Sequence, residues 1–246
     1  MKVITFLSDF GTDDWFVAAV KGEILKINPC VRIVDITHDI KPYDVRGAAF
    51  VLFAVFRNFP KGSIHLAVVD PGVGGDRKPI IVRSQGQFFV GPDNGIFSRV
   101  YDASSMVYEI KVNSSASATF HARDIFGPTA ARLSGGTSLS RLGKIHREYV
   151  VHETAGPTRR KNVIFGEIAY VDHFGNCITN IPNSEKITKL RVLGRMVNII
   201  DYYSVMLSKG LAGVRGSLGY YEIARYKGNA SQVLKAEPGM RVEGHE

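Results

Sequence analysis

Asp70 and Arg77 bracket a run of glycines in DPGVGGDRKP, residues 70–79. Glycine suits a backbone that must turn tightly or approach a ligand, so this stretch is either a simple turn or a loop that aims a carboxylate and a guanidinium at a substrate. His121, in TFHARDIFGP, stands at a strand-to-helix junction beside Arg123 and Asp124, in the same half of the chain. An imidazole so placed can hydrogen-bond to a reacting group or take its proton. The turn SDFGTDDW adds Asp9, Asp13 and Asp14. One carboxylate at a strand end can accept hydrogen bonds from both hydroxyls of a ribose, and a second can pair an ammonium. Asp9 and Asp14 therefore suit a nucleoside-bearing ligand with little or no negative charge. The plainer use of Asp13 and Asp14 is to cap the helix that follows.

Other chemistries find less support. Neither G-x-G-x-x-G nor G-x-x-x-x-G-K-[ST] occurs, and the turn after the first strand carries acid where a dinucleotide fold presents glycine amides to a pyrophosphate. Ser8, Ser63 and Ser84 lie outside any G-x-S-x-G elbow. His38, His65, His121, Asp35 and Asp70 lack the H-x-x-x-H or H-E-x-x-H spacing of a metal site, so no metal is expected, and His38 and His65 read as structural hydrogen bonders. Cys30 and Cys177 are far apart, outside any C-x-x-C pattern, and read as small buried hydrophobes.

The elements that position these residues follow from hydrophobic period. VITFLSDFG is an apolar run that ends in a turn, and DWFVAAVKGEILKIN spaces Phe16, Val20, Ile24 and Ile27 as a helix stopped by Asn28-Pro29. VRIVDIT is a second buried strand, DVRGAAFVLFAVFRNFP a helix with Asp44 as N-cap, and SIHLAVVD a third strand. This β-α-β-α-β order predicts a mainly parallel sheet covered on both faces, with ligands outside the carboxyl ends of its strands, where Asp9, Asp35 and Asp70 fall. PIIVRSQGQFFVGPDNG reads as a hairpin turning at Gln85-Gly86, MVYEIKV as a strand, and FHARDIFGPTAARLSGG as a helix stopped at Gly135-Gly136. From about Gly156 the pattern changes to short β-rich runs broken by glycine: NVIFGEIAYVDHFGNCITNIP, RMVNIIDYYSVML, GSLGYYEIARY and GMRVEG. These predict a smaller all-β, barrel-like domain at 156–246 after an α/β domain at 1–155, the boundary lying in HETAGPTRRKN.

The chain of 246 residues is 45% hydrophobic and 22% charged, an ordinary globular composition. Its net charge of +8 admits a polyanionic partner, but the basic residues are scattered and the densest run, TRRKN at 158–162, reads as a linker, so no nucleic-acid partner is expected. The N-terminal MKVITFLSDFGTDD stops short of a signal-peptide core and no run is long enough for a membrane helix, which predicts a cytoplasmic protein without a membrane partner.

The stretches FLSDFGTDDWFVAAVKG, DITHDI, VVDPGVGGDRKPI, GPDNG, TFHARDIFGP, VDHFGNCITNI and GSLGYYEIARYKGNA, in that order, resemble the S-adenosylmethionine (SAM) hydrolase family. Its members are also called SAM hydroxide adenosyltransferases and are relatives of the fluorinase and chlorinase. The resemblance implies a homotrimer of two-domain subunits, with the ligand between the N-terminal domain of one subunit and the C-terminal domain of the next. It implies that SAM is hydrolysed to adenosine and L-methionine without a cofactor. It assigns water handling to Asp70, Arg77 and His121, the ribose hydroxyls to Asp9, and a place near the methionine amine to Asp14. It also implies that Asn176 recognises adenine, that Asp172 and Phe174 line the pocket, that Ser217 contacts methionine, and that Ala230 contacts adenine through its backbone. His121-Ala122 stands where the halogenases carry Tyr-Ser, which disfavours halide chemistry. Leu218 stands where the fluorinase has an arginine near the methionine carboxylate, so that group has no named partner. The competing reading is a sensor that binds adenosine or SAM without turnover; it would keep Asp9 and Asn176 but has no need of Asp70, Arg77 and His121 together.

Overall fold

The computed structural model describes residues 2–112, 114–153, 156–205 and 210–246, and falls into two compact units, Met1–Glu153 and Thr154–Glu246. The boundary expected between 155 and 156 adjoins residues 154 and 155, which lie outside the described residues.

The first unit runs β1 (Val3–Ser8), α1 (Phe16–Ile27), β2 (Arg32–Thr37), α2 (Val45–Val55), β3 (Ile64–Val68), β4 (Pro79–Ser84), β5 (Gln87–Pro92), β6 (Met106–Ile110), α3 (Gly127–Ser134), α4 (Leu139–Leu142) and β7 (Gly143–Ile145). Its seven-stranded sheet has the order β2-β1-β3-β5-β4-β6-β7. β2, β1, β3 and β5 pair in parallel, while β4, β6 and β7 extend the sheet by antiparallel pairing. Side chains of successive strand residues point to opposite faces, so both faces of the parallel part are apolar. Ile4, Phe6, Leu66 and Val68 pack with Val20 and Ile24 of α1 and Ala130 of α3, whereas Leu7, Ala67 and Val69 pack with Ala48 and Leu52 of α2. Asp44 caps α2 by accepting the Gly47 N–H at 2.8 Å. Gln85 and Gly86, at φ 50° and 77°, make the tight left-handed turn of the β4–β5 hairpin. The ends of β1 and β3 deliver Asp9 and Asp70 to the same edge, but Asp35 lies inside β2, where it pairs with Lys21 at 2.5 Å.

The second unit comprises β8 (Thr158–Arg160), β9 (Val163–Val171), β10 (Cys177–Pro182), β11 (Lys189–Val192), β12 (Arg195–Ile200), β13 (Leu211–Arg215), β14 (Tyr220–Arg225), α5 (Ala230–Leu234) and β15 (Arg241–His245). The strands follow the order β10-β14-β13-β12-β11-β15-β9-β8, and pairing of β9 with β10 closes β9 to β15 into a barrel. Ile168, Cys177, Leu190, Val197, Tyr221, Ile223 and Val242 fill it. Apart from the short α5, the all-β, barrel-like expectation holds, and two other expectations are corrected. TRRKN is not a linker throughout, because Thr158–Arg160 pairs with β9 as a strand. Cys30 is exposed, and only Cys177 is the buried small hydrophobe expected of both. The expected run RMVNIIDYYSVML contains β12, and its last residues, 206 and 207, lie outside the described residues. Among the described residues no helix is long and apolar enough to cross a membrane.

Candidate active site

Between β3 and β4 the chain makes two consecutive turns, Val73 N–H to Asp70 C=O at 3.2 Å and Gly75 N–H to Gly72 C=O at 3.0 Å. These bring Arg77 back onto Asp70. Arg77 donates from Nε to Asp70 Oδ1 at 2.9 Å and from Nη2 to Asp70 Oδ2 at 2.5 Å, a two-point pairing that fixes the guanidinium plane. The Arg77 stem passes close to Gly72, where an added Cβ would lie 3.3 Å from Arg77 Cγ. The pair is largely withdrawn from solvent, with side-chain exposures of 9% for Arg77 and 6% for Asp70. Arg77 also sits 5.3 Å from the Phe126 ring, a contact that favours its cation.

The same guanidinium meets His121: Arg77 Nη2 lies 2.6 Å from His121 Nδ1. Arginine has no acceptor, so Nδ1 must offer its lone pair, which makes His121 neutral with its proton on Nε2. Burial, followed by the charge of Arg77, lowers the His121 pKa from its ordinary value, against a weaker opposite pull from Asp70 and Asp124. His121 opens a π-helical turn, Ala122–Phe126, before α3. Such widened turns are frequent where a helix must aim a side chain at a site. Arg77 Nη1 is buried and finds no hydrogen-bond partner among the described residues, leaving its two N–H groups for a ligand oxygen or water.

Asp70 and His121 line a cleft of about 490 Å³ together with Asp9, Thr119 and the aromatic walls Phe10, Phe16, Tyr43 and Phe120. Phe16 and Phe120 meet edge-to-face at 5.4 Å. Asp9 Oδ2 accepts the Tyr43 N–H at 3.0 Å. Tyr43 holds φ 69°, a left-handed conformation that an aromatic residue adopts only under constraint, and its exposed ring stands at the cleft rim. Asp14 is exposed and outside the cleft lining, and neither it nor Asp13 caps α1, whose N-cap is Trp15 without a side-chain bond. Trp15 stacks on Phe16 at 4.5 Å and is half exposed.

His38 and His65 are structural. His38 Nδ1 lies 2.8 Å from Ser8 Oγ, and buried His65 bonds Thr5 and Gln87, its pKa pushed down to about 4 by burial. Among the described residues no cluster of His, Cys, Asp or Glu is arranged to hold a metal ion.

The barrel carries a second concavity, a groove of about 880 Å³ lined by Asp172, Phe174, Asn176 and Ser217, all named from the sequence. Asp172 and Asn176 brace the turn from β9 to β10. Asp172 Oδ1 accepts the Asn176 backbone N–H at 2.8 Å and Oδ2 accepts from Asn176 Nδ2 at 2.9 Å. Phe174 stands exposed at the tip of this turn, followed by Gly175 at φ 82°. Ala230 begins α5 with its side chain in the barrel core, next to the groove residue Asn229. Tyr43 in the cleft and Glu222 in the groove were not found from sequence. Glu222, raised in pKa by burial and by the charge of Asp172, accepts from Tyr203 at 2.9 Å, and the signal for it was a carboxylate inside the apolar strand YYEIAR.

Residues 4–143 match the SAM hydroxide adenosyltransferase N-terminal domain and residues 166–243 the SAM hydroxide adenosyltransferase C-terminal domain. The chain belongs to the SAM hydroxide adenosyltransferase family. Within the family it is 33% identical to the (R)-S-adenosyl-L-methionine hydrolase of Methanocaldococcus jannaschii, over 96% of this chain and 93% of that one. It is likewise 33% identical to the (R)-S-adenosyl-L-methionine hydrolase of Thermus thermophilus, over 98% and 99%. A fluorinase of Nocardia brasiliensis is 28% identical over 98% of this chain and 96% of its own. Among solved structures, an uncharacterized conserved protein from Thermotoga maritima superposes with a TM-score of 0.90 at 34% identity, covering 99% of this chain and all of that one.

Proposed function

We propose that this chain hydrolyses SAM at ribose C5′, giving adenosine and L-methionine. The observation that carries the reading is the continuous Asp70–Arg77–His121 hydrogen-bond chain at a cleft that also holds Asp9. Family membership and the names of the hydrolase relatives support it.

In this reaction a C5′–O bond forms from water or hydroxide as the C5′–S bond breaks. The bond pair leaves with sulfur, so methionine departs as a neutral thioether and needs no acid. The water proton passes to solvent. What the protein must supply is an oxygen nucleophile held in line, and alignment of this kind contributes about 7–11 kcal/mol in well-oriented systems. Arg77 supplies a fixed positive charge and an Nη1 donor without a partner among the described residues, both of which favour hydroxide over water. Asp70 fixes the Arg77 plane. With Nδ1 occupied by Arg77, His121 offers its Nε2–H, so it holds the oxygen as a donor. Phe120 and its aromatic neighbours lower the local polarity, which helps opposite charges cancel in the transition state.

Asp9 takes the ribose hydroxyls. Asn176 Nδ2 gives one of its two N–H groups to Asp172, which orients the amide so that Oδ1 accepts from the adenine amine, with Phe174 as a stacking face. Ser217, Ala230 and Asp14 keep the contacts that the resemblance implies. The same reading includes a homotrimer whose sites use two subunits, a cytoplasmic location, and no cofactor.

The test is incubation of the purified protein with each sulfonium epimer of SAM in ¹⁸O-water, with and without chloride, and mass analysis of the nucleosides. Adenosine carrying ¹⁸O at C5′ is expected. A 5′-chloro nucleoside would move the chain to the halogenases, and bound but unchanged SAM would favour the sensor.

A further inference from the structure

The loop that carries Asp70 and Arg77 is tied at its neck by residues from one other segment, the end of β5. Asn94 Nδ2 donates to the Val69 carbonyl at 2.8 Å, immediately before Asp70. Asp93 N–H donates to the Lys78 carbonyl at 2.8 Å, immediately after Arg77. The second tie is made by backbone and survives most substitutions, whereas the first depends on one side-chain amide. Asn94 is itself held, because its Oδ1 accepts the Ile96 N–H at 3.3 Å and Gly95 follows at φ 89°. Asp93 is buried and anchored too, accepting the Val150 N–H at 2.9 Å.

We propose that Asn94 is a positioning residue: its amide closes the neck of the 70–77 loop and so holds Asp70 and Arg77 in register with His121. The inference rests on the hydrolase reading, since the loop it sets carries that reading's catalytic residues. Asn94 itself is absent from the cleft lining, so its effect passes through the Val69 carbonyl to the Asp70 backbone. Arg77 then follows Asp70 through their two-point pairing. The groups that face His121 electrostatically are Arg77, Asp70 and Asp124, and the first two both ride on this loop.

Asn94→Asp tests it, because the new side chain keeps Oδ1 for Ile96 but sets an oxygen against the Val69 carbonyl. Asn94→Ser, too short to reach Val69, carries the test should the aspartate variant not fold. Asn28→Ala is the control, losing an amide donation of the same 2.8 Å, to Ser134, elsewhere in the unit. Two readouts are taken on folded protein: steady-state kinetics with SAM, and the His121 titration by NMR. Displaced reacting groups cost about 10²-fold in kcat while KM stays within about threefold, and that split is the expected result for the Asn94 variants. As Arg77 retreats, the His121 titration is expected to move up towards an ordinary imidazole, with the control unchanged in both. Wild-type kcat with an unmoved His121 overturns the proposal, and so does a loss of turnover with an unmoved His121, which would make Asn94 merely structural. If the wild-type protein turns over no SAM, the hydrolase reading fails, and the NMR arm still decides whether Asn94 sets the Arg77–His121 contact.

Discussion

The Arg77 side chain serves as a hub. One guanidinium spends two N–H groups on Asp70 and one on His121, and keeps a buried Nη1 without a partner among the described residues. Lysine can supply the charge at this place but not the planar fork, so Arg77→Lys is expected to bind SAM and yet lose most turnover. Arg77→Ala removes the charge as well, and loss of such an electrostatic donor is expected to cost about 10²–10³ in kcat. It also strands buried Asp70, so kinetics on the lysine variant separate lost chemistry from lost folding. Wild-type kcat in the lysine variant would remove the fork from the mechanism. The pH dependence has a definite sign. His121 must be neutral for Nδ1 to accept from Arg77, and burial beside Arg77 lowers its pKa. Activity is therefore expected to be flat above the ordinary imidazole range and to fall only at lower pH, as His121 gains a proton and repels Arg77.

At the scale of the element, the 70–77 loop is shaped by contacts that only glycine tolerates. Gly74 has φ 79°, and a Cβ there would lie 2.3 Å from the Ala118 carbonyl, in the segment leading to His121. Gly11 shares the backbone state at φ 69° but has open space around it. Gly11→Ala should cost only the left-handed backbone, whereas Gly74→Ala must also push two segments of the cleft apart. Strain of this kind runs to about 1–3 kcal/mol per residue, so denaturant unfolding is expected to rank Gly74→Ala as the less stable. Its kcat is expected to fall with it, and equal losses in the two variants would show that the Ala118 contact does not matter. The glycines were visible in DPGVGGDRKP, and so were Asp70, Arg77 and His121 as groups that a loop could aim. The β-α-β-α-β order was visible too, because apolar period and stop signals such as Asn28-Pro29 are local. The ties that set the loop were not. Asn94 bonds a carbonyl 25 residues away, and no local pattern marks such a partner. The strands β11 and β13 escaped for a related reason: KLRV alternates over only four residues, and LAGVR, buried at three successive positions, does not alternate at all.

At the scale of the whole molecule, the groups proposed to recognise the substrate are divided between two units. The first has Asp9, Asp70 and His121 in its cleft, the last two both bonded to Arg77, and the second has Asn176, Phe174 and Ser217 in its groove. Each set alone addresses only part of a nucleoside sulfonium. The proposed trimer, in which one subunit's cleft and the next subunit's groove share a ligand, makes a prediction that a self-contained subunit does not. Arg77→Ala and Asn176→Ala should each be nearly inactive when purified separately. Co-assembled, an Asn176→Ala subunit keeps an intact cleft and an Arg77→Ala subunit keeps an intact groove, so sites where these two meet are wild type. Random assembly of equal amounts in a closed ring gives about a quarter of sites in that state, and the expected recovery is about a quarter of wild-type activity. If each subunit builds its site from its own two units, every mixed assembly still carries one damaged half per site. Activity then stays at the level of the separate variants however the subunits are combined.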